Sequence, residues 1–91
     1  MMDTLITTEL KTSDTYEASF YLMYGANIES IRQRPVSKNR ARKRGYLIEY
    51  VVHLNDVPQW AINMWRTGQC YVNLQEFVIT RKRLKRAMKR S

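Results

Sequence analysis

Residues 45–54, Gly-Tyr-Leu-Ile-Glu-Tyr-Val-Val-His-Leu, decide how the rest of the chain is read. β-Branched and aromatic side chains crowd this run, and they suit a pleated, half-buried surface better than a helix. A strand is expected. Its even positions, Tyr46, Ile48, Tyr50, Val52 and Leu54, share one face that should meet a core, while Leu47, Glu49, Val51 and His53 share the other.

Residues 27–34, Asn-Ile-Glu-Ser-Ile-Arg-Gln-Arg, also read as a strand, and the two runs are expected to pair as a hairpin. The connection, Pro35 to Arg44, is too charged to pack and long for a hairpin loop, so it should project as a basic arm. Upstream, Thr12-Ser13-Asp14 offers N-cap chemistry, with Glu17 at capping-box distance from Asp14 and Gly25 suited to the far end of the helix. That helix is apolar on nearly every side and should be the buried central one.

Downstream, Asn55 or Asp56 is read as the cap of a second helix with Pro58 in its first turn, tryptophans 60 and 65 buried against the sheet, and Gly68 closing it. Asn73 should cap a third, in which Leu74, Phe77, Val78, Leu84 and Met88 form an apolar stripe opposite a cationic arc. The fold expected is therefore a small single-domain α+β unit over residues 12–91, a β-hairpin packed against three helices in the order α-β-β-α-α. The basic arm spans 35–44 and the basic helix 74–90. Residues 1–11 read as a lead-in, either frayed or forming a short edge strand.

At 91 residues only one modest core fits. Hydrophobic residues make up 44% and there are only three Gly and two Pro, a composition that argues against disorder over most of the length. Cys70 is the single cysteine, which excludes an internal disulfide and a multi-cysteine zinc site and makes the cytoplasm the default setting. No window approaches the ~18–20 apolar residues of a membrane span, and the start of the chain lacks the basic and apolar segments of a signal peptide.

Charge carries the functional signal. The net charge is +8, and fourteen of the sixteen Lys and Arg residues fall in two acid-free blocks, leaving only Lys11 and Arg66 against all eight acids. The first block is Arg32, Arg34, Lys38, Arg40, Arg42, Lys43 and Arg44; the second is Arg81, Lys82, Arg83, Lys85, Arg86, Lys89 and Arg90. Like charges held this close repel, and a polyanion such as the phosphate backbone of RNA or DNA is the usual reason to keep them together. A helix macrodipole accounts for two or three terminal cations, not seven. Tyr46 beside the arm and Tyr71 before the last helix are the rings placed to stack a base.

Catalytic signals are thin. His53 is the single histidine, no Ser/His/Asp set or Gly-rich phosphate loop can be assembled, and Glu49, Asp56 and Glu76 lack the acid-pair pattern of a metal-dependent nuclease. No cofactor, metal, small-molecule substrate or membrane partner is expected. The reading is a non-enzymatic protein contacting RNA, single-stranded or irregular nucleic acid, or a ribonucleoprotein complex, through phosphates. Two alternatives stand beside it: a duplex-DNA reader using residues 60–68 and 73–90 as a helix-turn-helix, and a phage-type accessory or inhibitor that binds a host protein.

The run Thr12-Ser13-Asp14-x-Tyr16-x-Ala18-Ser19-Phe20-x-Leu22, together with Gly25, Trp65, Gly68, Phe77 and Leu84-Lys85, resembles a family of short uncharacterised bacterial, archaeal and phage proteins. The likeness covers Thr12 to Met88. It implies helix, two strands, helix, helix, and carries no activity with it.

Overall fold

The computed structural model describes residues 6–35 and 48–90. Within them the elements are β1 (Thr7–Thr12), α1 (Thr15–Met23), β2 (Asn27–Pro35), β3 (Ile48–Pro58), α2 (Gln59–Thr67) and α3 (Leu74–Arg90). The order is β-α-β-β-α-α, which corrects the α-β-β-α-α expectation. The sheet has three antiparallel strands rather than two, with β3 in the centre, β1 on one edge and β2 on the other.

Of the two readings of residues 1–11, the edge strand is the one found, as Thr-Thr-Glu-Leu-Lys-Thr; only its Leu10 packs against the core, so it shows almost no apolar alternation, which keeps it out of the expected element order. Pairing with β1 lengthens β3 beyond Leu54. Asn55 and Asp56 are consequently strand residues and not a helix cap; α2 starts after Pro58, which makes no side-chain cap bond. Between Thr8 and Leu10 the partner on β3 jumps from Val57 to Leu54, one residue more than on β1. Asp56 absorbs the bulge at φ +55°, in the left-handed region that Asp tolerates better than most residues, and its Oδ2 accepts from Asn27 Nδ2 at 3.1 Å. The extra residue resets the alternation, so Val52, Leu54 and Val57 are all buried.

α1 lies in the middle of the molecule and packs on β1, β3, α2 and α3. Its Ala18, Ser19, Phe20 and Tyr21 are buried, each large ring contributing roughly 2–3 kcal/mol of apolar transfer. Asp14 caps it as read, accepting from the N–H groups of Tyr16 and Glu17, and Gly25 follows its end at φ +103°. Of the tryptophans on α2, Trp65 packs partly buried against the core cluster that includes Val52, Leu54 and Val57, 5.8 Å from the Phe20 ring, whereas Trp60, expected to be buried, is exposed and meets Tyr24 at 4.9 Å; Ala61 and Ile62 take the buried positions. Asn73 caps α3 through Glu76 N–H at 3.0 Å. On α3 the inward stripe is Phe77, Leu84 and Met88; Leu74 and Val78, expected in that stripe, face outward.

Residues 45–47 of the strand expectation lie outside the described residues, as do Lys38, Arg40, Arg42, Lys43, Arg44 and Tyr46.

Candidate nucleic-acid interface

The end of the β2–β3 hairpin, where Pro35 faces Ile48, is the point from which the first basic block departs. Arg32 and Arg34 lie two apart on β2, opposite Val51 and Glu49. Arg32 is exposed. Arg34 is half-exposed and its Nε donates to the buried Glu49 carboxylate at 2.5 Å, so part of its charge is already neutralised. These residues line a 620 Å³ groove with Lys11, Ser30, His53 and the acidic Glu29.

A second groove, of 380 Å³, runs along the same end of the molecule on the helix side, between the start of β3 and α3. Thr15, Ile48, Tyr50, Arg81 and Lys85 line it, together with the Glu49 that pairs with Arg34. Arg81 is a structural cation: its guanidinium lies 4.1 Å from the Tyr16 ring centroid and its Nε donates to Thr15 Oγ1 at 3.3 Å, while Phe77 flanks the same ring at 6.3 Å. Lys82, Arg83, Lys85, Arg86, Lys89 and Arg90 are exposed, and among the described residues none of the six enters an ion pair. The two grooves flank the hairpin end, so α3 brings Arg81 and Lys85 beside Ile48, one of the arm's attachment points.

Tyr71 is 74% exposed while its carbonyl accepts from the Tyr24 hydroxyl, which ties down the backbone at that position. The first turns of α3 present Leu74, Gln75, Glu76, Val78 and Ile79 rather than cations. That is unlike a helix-turn-helix reader, which contacts bases from the early part of its recognition helix. Among the described residues no helix is long and apolar enough to cross a membrane.

Glu49, Asp56 and Glu76, weighed as possible metal ligands, are not brought together: the first pairs with Arg34, the second closes the bulge, and the third sits at the start of α3. Cys70 donates to the Met64 carbonyl at 3.6 Å, and burial pushes its thiol above the ordinary value, which blunts it as a nucleophile. Two acids with no motif around them, Glu9 and Glu29, do converge on His53, from strands the sequence gives no means of registering.

No family model, curated protein or solved structure matches the chain. Its function has to be read from its surface chemistry.

Proposed function

We propose that the chain is a non-enzymatic nucleic-acid-binding protein that grips RNA, or other single-stranded or irregular nucleic acid, through its phosphates. The observation that carries this reading is the set of six exposed cations on α3 without ion-pair partners among the described residues, one of which, Lys85, lies beside the hairpin end that leads into the other cationic block of the sequence. Cations without acidic partners gain most from a polyanion that releases its own counterions on contact. Tyr71 adds an exposed ring on which a base can stack, worth about 1–3 kcal/mol.

A gel-shift titration with single-stranded RNA at several salt concentrations tests it. With about six phosphates engaged, log affinity falls against log salt with a slope near −4 to −5. Replacing Arg40, Arg42, Lys43 and Arg44 with alanine, or Lys85, Arg86 and Lys89 with alanine, should make the slope shallower by about one for each phosphate no longer neutralised. Absence of binding to any oligonucleotide in dilute buffer would defeat the proposal.

One observation favours a second reading, docking on a partner protein: Tyr71, Leu74, Val78 and Ile79 expose apolar surface on the early half of α3, directly before the cations. Retention of a defined protein from nuclease-treated extract, abolished when Leu74 and Ile79 are changed to serine, would move the assignment there.

A further inference from the structure

Three strands each send one donor to a single point on the open sheet face: Glu9 from β1, Glu29 from β2 and His53 from β3. His53 Nε2 lies 3.5 Å from Glu29 Oε2 and 3.9 Å from Glu9 Oε2, and the three donor atoms all fall within 4.8 Å of one another. The outer strands stand about 10 Å apart with β3 between them, so both glutamates must lean inward over the central strand to meet. Two carboxylates drawn together repel. Among the described residues no Lys or Arg lies in ion-pair range of either one, and Lys11, directly opposite His53, pairs with neither; the one cationic partner in reach is His53 itself, when protonated, so with a neutral imidazole the two carboxylates have no counter-charge there.

A local irregularity sets this convergence. Between Ile28 and Ser30 the strand gains one residue against β3, so Glu29 is the added residue beside the Ser30–His53 pair, while Ile31 returns opposite Val52 to the core. Bulges of this kind re-aim side chains beside functional sites.

We propose that Glu9, Glu29 and His53 bind one divalent transition-metal ion. Ligand bonds of ~2.0–2.2 Å in tetrahedral geometry place donors about 3.3 Å apart. The Glu29–His53 separation of 3.5 Å is already close to this, the Glu9–His53 separation of 3.9 Å has to shorten by about half an ångström, and the two carboxylates, within 4.8 Å of each other, have to draw together further; both glutamates are exposed enough to move around the more enclosed imidazole. One imidazole and two carboxylates select zinc, manganese, iron or cobalt over calcium and magnesium, and three protein donors leave a position open to water on the groove side. The bound ion would tie both edge strands across β3. No cation of the proposed nucleic-acid surface is a ligand, so this inference stands or falls separately from that reading.

His53 is the only histidine, so its ring resonances report on the site without ambiguity. The full chain is titrated with zinc alone, in a non-chelating buffer and without nucleic acid, by calorimetry and by NMR of the imidazole. One ion per chain, a shift of the His53 ring signals, and binding weakened at least about tenfold by Glu29→Gln and by His53→Ala, with Glu76→Gln and Cys70→Ser unaffected, is the expected result. Ring signals that stay in place at saturating zinc overturn the proposal, and this readout needs only the wild-type fold. Heat that survives both ligand substitutions but disappears in Cys70→Ser overturns it equally, by assigning the metal to the thiol.

Discussion

Tyr21 anchors a chain of hydrogen bonds that joins the first strand to the first helix. Its ring is fully buried, and its hydroxyl donates to Glu17 Oε2 at 2.8 Å. The other oxygen of Glu17 accepts from Thr12 Oγ1 at 2.7 Å, and that hydroxyl accepts the Asp14 N–H at 3.0 Å. The reciprocal half of the capping box therefore runs through Thr12 instead of directly from Glu17. Asp14 and Glu17 are legible in the sequence because cap chemistry is local; the part played by Tyr21 is not, because a helix apolar on every side does not reveal which ring hides a hydroxyl. Burial and the Glu17 carboxylate push the Tyr21 phenol well above its ordinary value of 10.0. Above pH 10.0 the unfolded phenol sheds its proton while the buried one keeps it, so the unfolded state binds fewer protons and stability falls as pH rises. Tyr21→Phe should be about 1 kcal/mol less stable at pH 8 through the missing hydrogen bond. That deficit should shrink as the pH is raised beyond 10.0, in urea unfolding followed at a series of pH values. A deficit independent of pH would mean that the phenol is not held protonated by the fold.

α3 is two elements in one. Its inward side gives Leu84 to the core at 1% exposure, with Phe77 and Met88 against the same cluster; its outward side is apolar over the first turns and cationic over the rest. Leu84→Ala is expected to cost about 2–5 kcal/mol in denaturant unfolding, because the cavity would open between α3 and the buried face of α1. A loss under about 1 kcal/mol would mean that α3 is a peripheral attachment instead of part of the core. The periodic spacing of 77, 84 and 88 is visible in the sequence, and so are the caps at Asp14, Asn73 and Gly68. Leu74 and Val78 read as core residues because hydropathy spacing gives the width of an apolar arc but not which part of it the neighbouring helix covers. β1 escaped for the complementary reason: an edge strand that sends only Leu10 to the core has little pattern, and its pairing with β3 is a long-range fact.

Across the whole molecule the positive charge is segregated, since fourteen of sixteen Lys and Arg residues sit in two blocks and the acids lie elsewhere. In the free protein this arrangement is destabilising at low ionic strength. Raising salt from about 0.01 M to 0.15 M shortens the screening length from about 30 Å to 8 Å and should raise the melting temperature by a few degrees. A scan in which salt leaves the transition unmoved or lowers it would show that the cations are already neutralised within the fold.

Charge segregation, the α+β class, the caps at Asp14, Asn73 and Gly68, and the strand through residues 48–54 are legible in the chain, because each is written in neighbouring residues; the cap of α2 is not, because pairing with β1 carries β3 on through Asn55 and Asp56. Long-range packing sets the rest: the pairing of β1 with β3, the outward turn of Leu74 and Val78, the engagement of Arg34 and Arg81 with Glu49 and Tyr16, and the meeting of Glu9, Glu29 and His53. Those depend on strand register and on two single-residue bulges, and a shift of one residue in a sheet sends a side chain to the opposite face.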